Sequence, residues 1–197
     1  HPDAVMVDVR NFNESVIGKF QPPGTTVLDP QMRKSTEFPE WVKSNSDKLR
    51  GKKVLMYCTA GIRCERAAAF LKEAGIDDVN QLDGGIHRYL ETFPEDGGFW
   101  KGKNYTFDKR FSHGATKSQV ISSCVVCDSP WERYNAGQKC EQCKMEVLVC
   151  KECMMKHKIS SKKTKFPKES LVCPLCRAKK PYDFKRHGNL SNATLTG

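Results

Sequence analysis

The sequence predicts an α/β domain, a parallel sheet with flanking helices, followed by a small Cys-rich zinc-binding domain. Three observations carry that prediction. Strand-like apolar runs alternate with helical segments through residues 4–93, the pattern of a parallel sheet with helices on its faces. One run ends in a Gly-containing turn that presents Cys58 and leads into a helix. Four Cys-x-x-Cys pairs then crowd between Cys124 and Cys176, a spacing that suits metal.

The elements follow in order. AVMVDV at residues 4–9 reads as a buried strand. Gly18 and the cluster Pro22-Pro23-Gly24 mark a loop. Glu37 to Lys43 fits a short helix, and KVLMY at residues 53–57 a second buried strand. The turn Cys58-Thr59-Ala60-Gly61-Ile62-Arg63 comes next. A helix is expected from about Cys64 to Glu73, with Gly75 as its stop. Val79 to Leu82 is a third strand, ending in Asp83-Gly84-Gly85, and Ile86 to Phe93 a helix stopped by Pro94. The composition changes near Gly114. The expected division is residues 1–114, residues 115–188, and a polar tail at 189–197 expected to be disordered.

A hydrophobic content of 38% in 197 residues suffices for one modest core. The second unit therefore needs a staple, and the cysteines supply it. The net charge is +10, and residues 116–197 hold 16 Lys/Arg against 7 Asp/Glu, so the basic half invites a polyanion. No apolar run is long enough to span a bilayer, and no signal peptide is visible. The chain opens on His1 with a strand almost at once, so it reads as a fragment with upstream segments missing. Ten cysteines without a secretory signal point to a reducing, intracellular and cytoplasmic setting.

The turn at Cys58 carries the chemistry. A strand ending at Tyr57 delivers Cys58 to the carboxyl edge of the sheet, where open α/β sheets place ligands. The amides and dipole of the next helix point back at the turn, so the thiol should be partly ionised near neutral pH. Arg63 adds a fixed charge and a fork of donors for an oxyanion. The loop residues Thr59, Ala60, Gly61, Ile62 and Cys64 complete an anion cradle around a nucleophilic sulfur. The reading requires that sulfur to face the amides and the guanidinium and not to be buried; otherwise the enzymatic reading fails and a metal-stabilised docking protein remains.

An ordered set of motifs resembles the rhodanese family: VDVRN (Val7 to Asn11) with Glu14 and Gly18, YCTAGIRC (Tyr57 to Cys64), and QLDGGI (Gln81 to Ile86). The resemblance implies that Cys58 is the catalytic, persulfide-carrying cysteine and that Asp8 and Arg10 support the site. The plainer reading of Asp8 and Arg10 is an ion pair bracing the loop. Cys64 stands where many rhodaneses have Ser, which makes it a resolving or second functional thiol, or a packing residue. Four residues separate Cys58 from Arg63; the longer loop of cysteine phosphatases has five, so persulfide chemistry ranks above phosphatase chemistry. The strings MYCTAGIRCERAAAFLKEAG and GGIHRYLETFPEDGGFWKGKNYTFDKR resemble one rhodanese branch, the tRNA uridine hydroxylases and their eukaryotic relatives. That branch implies oxygen-dependent 5-hydroxylation of the wobble uridine of tRNA. The rival readings are a thiosulfate-type sulfurtransferase with a sulfane-sulfur donor and a non-catalytic module that binds RNA or protein.

The cysteine pairs are Cys124/Cys127, Cys140/Cys143, Cys150/Cys153 and Cys173/Cys176, separated by 12, 6 and 19 residues. Two pairs complete a tetrahedral site, so eight cysteines hold two Zn2+. Pairing stays open between a cross-brace (first with third, second with fourth) and a sequential arrangement, with compactness favouring the cross-brace. His157 and His187 are spare ligands. Lys162, Lys163, Lys165, Arg177, Lys179 and Lys180 lie among Trp131, Tyr134, Phe166, Tyr182 and Phe184. Such cations neutralise phosphates and such rings stack on bases, and the resemblance points to tRNA as the partner.

Overall fold

The computed structural model describes residues 3–106, 114–156 and 171–178. Its first unit runs β1 (Ala4–Asp8), α1 (Phe12–Ser15), β2 (Gly18–Phe20), β3 (Thr26–Leu28), α2 (Phe38–Leu49), β4 (Lys53–Tyr57), α3 (Ile62–Glu73), β5 (Val79–Gln81), α4 (Gly85–Thr92) and β6 (Trp100–Gly102). Four strands form the expected parallel sheet in the order β3-β1-β4-β5. Successive side chains in a strand point to opposite faces. Val5 and Val7 of β1 and Val54 and Met56 of β4 therefore bury beneath α2 and α3, together with Val42, Leu49, Ala67 and Leu71. Tyr57 takes the other face, with Phe20, Ile86, Leu90 and Trp100.

Three sequence expectations change. Gly18 is not a loop marker but part of β2, which pairs antiparallel with β6. A Cβ there would run into the Lys103 carbonyl and the Trp100 ring, so close packing selects the glycine. Helix α2 extends to Leu49, because Phe38, Val42 and Leu49 all bury along its length. Helix α3 starts at Ile62, two residues earlier than expected, since Gly61 (φ 93) caps it in a conformation only glycine adopts freely.

The second unit contains β7 (Tyr134–Lys139), β8 (Glu146–Leu148), α5 (Lys151–Lys156) and α6 (Pro174–Arg177). Its core is largely sulfur: six buried cysteines pack with Val125, Val147, Val149, Leu171 and Leu175. Phe12 packs against this core from the first unit, and the Tyr134 hydroxyl donates to the Asn13 carbonyl at 2.7 Å. Residues 116 and 117 hydrogen-bond back to the Pro94 and Glu95 carbonyls. Among the described residues no helix is long and apolar enough to cross a membrane. The expected tail at 189–197 lies outside the described residues.

Candidate active site and metal centres

Strand β4 ends at Tyr57, and the chain turns at once, so Cys58 Sγ drops onto the start of α3. The Gly61 amide donates to it at 3.1 Å. The Cys64 thiol and the backbone of Ala60 and Arg63 lie near it as further donors. These donors, the Cys64 thiol first, bring Cys58 down to about 5 against the opposing cost of burial, and the charge of Arg63 helps. Cys64 moves the other way: its pKa rises because Cys58 is its neighbour and because it is buried. The sulfur thus faces the amides and feels the guanidinium, as expected. It does not lie at the mouth of the turn: Cys58 is only 1% exposed, so the requirement that it not be buried is not met. It forms the floor of the cradle, beneath the exposed loop residues Ala60 and Ile62.

Arg63 is engaged differently from the expectation. Its guanidinium forks the Glu14 carboxylate at 2.5 and 2.7 Å, and the Thr59 hydroxyl bridges the pair. Glu14 is fully buried, and burial of an unpaired carboxylate would be costly. Arg63 is therefore a charge-balanced strut in this state, not an open oxyanion fork. Glu14 was visible in sequence only as part of a motif; its pairing with a residue 49 positions away has no local signal.

Asp8 and Arg10 lie beside the ring-lined face of the sheet. The Arg10 Nε and Nη2 donate to the two Asp8 carboxylate oxygens at 2.8 and 2.6 Å, while its guanidinium lies over the Tyr57 and Trp100 rings. Nη2 also donates to the Gly18 carbonyl, and Nη1 to that of Glu14. The Tyr57 hydroxyl donates to Asp8 at 2.9 Å. The pair braces the segment that carries Glu14. From the other side, the amides of Ile86 and His87 donate to the Cys58 and Thr59 carbonyls at 3.0 Å each. Gly85 (φ 63) makes this approach possible, for a Cβ would sit 2.6 Å from the Cys58 carbonyl oxygen. Beside Arg63 a cavity of about 290 Å3 opens, lined by Met32, Phe38, Phe70 and Arg66 among others.

The eight paired cysteines converge as two clusters: Cys124, Cys127, Cys150 and Cys153, and Cys140, Cys143, Cys173 and Cys176, each with its sulfurs within 4.8 Å of one another. This is the cross-brace. The clusters repeat one plan. The amide of Cys150 donates to Cys124 Sγ at 3.3 Å, and that of Cys173 to Cys140 Sγ at 3.3 Å. Asp128 and Lys144, each just after a second cysteine, take positive φ. Those turns aim both sulfurs of a pair at one point. Sulfur–sulfur separations of 3.7 Å (Cys127 to Cys150) and 3.6 Å (Cys143 to Cys173) match the edge of about 3.8 Å that metal–sulfur bonds of about 2.3 Å give in a tetrahedron. The described residues can hold two metal ions.

The expected nucleic-acid surface is only partly visible. Lys162, Lys163, Lys165, Lys179 and Lys180, with Phe166, Tyr182, Phe184, His157 and His187, lie outside the described residues. Arg177 is exposed, though its guanidinium donates to the Val125 carbonyl. Tyr134 and Trp131 are not open stacking platforms. The Tyr134 hydroxyl is spent on Asn13, and the Trp131 ring packs on the cysteine core while its Nε1 donates to the Arg133 carbonyl.

A sheet that ends in a cysteine cradle, joined to a cross-braced cysteine unit, defines a class of two-part sulfur protein. The family model described as the rhodanese-like domain matches residues 1–92, and the one described as rhodanase C-terminal matches residues 101–177. The chain belongs to the rhodanese-like proteins that continue into this C-terminal module. It is 44% identical over 177 residues to rhodanese-like domain-containing protein 6 of Arabidopsis thaliana, covering 89% of this chain and 28% of that protein. It is 43% identical over 153 residues to the tRNA uridine(34) hydroxylase of Brucella ovis, covering 73% of this chain and 48% of that protein. The chain thus spans half or less of the length of these relatives. The solution structure of a rhodanese-like domain from Anabaena sp. matches 62% of this chain and 80% of its own at 21% identity and a TM-score of 0.39.

Proposed function

We propose that this chain carries the catalytic portion of a tRNA uridine hydroxylase, with Cys58 as its reactive residue. The observation that carries the reading is Cys58 Sγ accepting the Gly61 amide at 3.1 Å in a turn that draws its pKa down to about 5, within a chain 43% identical to an enzyme named for that reaction. In this reading the carbon hydroxylated is C5 of uridine 34, as the sequence resemblance implies. Residues 1–114 do the chemistry, and residues 115–188, stapled by two Zn2+, dock the tRNA through their basic stretch. Arg63, Asp8, Arg10 and Glu14 position the loop. Reduced protein, oxygen and tRNA lacking the modification should yield hydroxyuridine by nucleoside mass spectrometry. Cys58→Ser should abolish the product and leave the metal content unchanged. Full activity in that variant would remove Cys58 from the reaction.

A second reading, sulfur transfer from a thiosulfate-like donor, is favoured by the same thiolate and by the four-residue spacing to Arg63. Thiocyanate formation in the presence of cyanide separates the two. The burial of Cys58 favours a third, a binding module. A Cys58 that stays inert to alkylation with and without tRNA would support it.

A further inference from the structure

Cys64 is fully buried on the first turn of α3, in the same buried cluster as Cys58; its amide donates to the Gly61 carbonyl, and the Gly61 amide donates to Cys58 Sγ. No external substrate can reach it without the helix moving. Of the other eight cysteines, all belong to the metal clusters. The sulfur chemistry open to Cys64 is therefore chemistry with Cys58. The pair is also asymmetric in acidity: Cys58 is drawn down to about 5 and Cys64 is pushed up. This is the arrangement of an attacking or oxidisable sulfur next to a resolving thiol.

Hydroxylation of a carbon by oxygen has a fixed electron balance. Dioxygen accepts four electrons. Conversion of C–H to C–OH supplies two, and a reductant must supply two more. Building on the hydroxylase reading, we propose that the Cys58/Cys64 dithiol is that reductant. The sum is uridine C–H plus O2 plus two thiols, giving uridine C–OH, one water and a Cys58–Cys64 disulfide. The O–O and C–H bonds break as one oxygen joins the carbon and keeps its hydrogen as the hydroxyl. The other oxygen stays on Cys58, which takes back from solvent the proton it lost on ionising and becomes a sulfenic acid, and Cys64 resolves it. The Cys64 sulfur attacks Cys58 Sγ, the S–S bond forms, the S–O bond breaks, and the hydroxyl leaves with the Cys64 proton as water. An external dithiol then reduces the disulfide and resets the pair.

The test is a single-turnover reaction of the full chain. Protein reduced without oxygen and freed of small thiols is mixed with tRNA in oxygenated buffer, trapped with a maleimide, and digested with trypsin. Residues 54–63 and 64–66 fall in separate peptides, so the disulfide appears as their cross-linked product. The expected result is one hydroxyuridine and one Cys58–Cys64 disulfide per chain, with further turnovers only after dithiothreitol is added. Cys64→Ala should stop after its first turnover and leave Cys58 as a sulfenic acid that dimedone captures. Metal content and maleimide labelling of Cys58 check that this variant is folded; should it fail to fold, the stoichiometry in the wild type decides. Hydroxyuridine formed without a matching disulfide overturns the role of Cys64 and leaves the hydroxylase reading standing. No hydroxyuridine from the reduced wild type overturns both.

Discussion

Two regions of this chain aim backbone amides at cysteine sulfur, and the outcomes are opposite. At Cys58 the Gly61 amide and one thiol meet one thiolate. In the C-terminal unit amides point at Cys124, Cys150, Cys140 and Cys173 in the same way, but each of those sulfurs shares its site with three more. A single thiolate among N–H groups is stabilised yet keeps its lone pairs for reaction. Four sulfurs within 4.8 Å repel when ionised and are stabilised together only by a cation, to which their lone pairs are then committed. The count of converging sulfurs, not the presence of amides, separates a nucleophile from a ligand set.

The largest test of that contrast is metal removal. The C-terminal core is built from cysteines and a few aliphatics, and structural zinc sites contribute apparent free energies of about 10–16 kcal/mol. A strong chelator should unfold the region from Cys124 to Cys176, read as protease sensitivity, while β1, β4 and α3 keep their structure. Metal analysis should return two ions per chain, and Cys140→Ser should lose one. A chelated protein that stays intact in its second half would mean the sulfurs are not ligands.

The second test is acidity. With Cys58 brought from 9 to about 5, the fold favours the thiolate. That contribution to stability is fully present above pH 9 and is lost as pH falls through about 5. Thiolate ultraviolet absorbance, taken as wild type minus Cys58→Ser, should titrate near pH 5. Cys64→Ala removes the largest cause of the shift and should move the inflection upward. An unchanged inflection would assign the shift to the amides and Arg63 alone.

The third test is smaller and concerns the strut. Glu14→Gln leaves Arg63 facing a neutral amide in a half-buried site. Breaking a buried ion pair from one side costs about 3–5 kcal/mol, and the partial exposure of Arg63 at 24% places the loss at the lower end, about 3 kcal/mol. Denaturant unfolding of the first unit measures it. Metal occupancy of the second unit should not change.

What was legible in the sequence divides along the same line. The strands at Ala4 and Lys53, the turn at Cys58 and the eight clustered cysteines were readable because each is announced by its neighbours: an apolar run, a turn that leads into a helix, a repeated Cys-x-x-Cys. Elements set by distant partners were not. β6 is three residues long and exists through its pairing with β2, and Gly18 looked like a turn because nothing nearby reveals the Trp100 ring. Arg63 read as an open anion fork because its counter-charge lies 49 residues away. The cross-brace was favoured on compactness and left open, since spacing alone allows either pairing. The burial of Cys58 depends on how the loop closes over it, which no local pattern encodes.

The finest test separates strain from packing in the cradle. Gly61 (φ 93) and Gly85 (φ 63) both sit where an L-residue is strained. A Cβ on Gly61 meets nothing within 4 Å, whereas one on Gly85 sits 2.6 Å from the Cys58 carbonyl oxygen and 2.8 Å from the Ala60 backbone. Gly61→Ala should therefore cost only the backbone strain of φ 93, ψ −30, about 1–3 kcal/mol. Gly85→Ala should cost that and also push the turn off the amides of Ile86 and His87, moving the backbone that carries Cys58. In thermal unfolding both variants lower the stability of the first unit, Gly85→Ala more. In thiolate titration only Gly85→Ala should raise the Cys58 inflection. Equal shifts from the two would mean that the α4 amides do not hold the cradle, and that its acidity resides in the Cys58 turn and α3 alone.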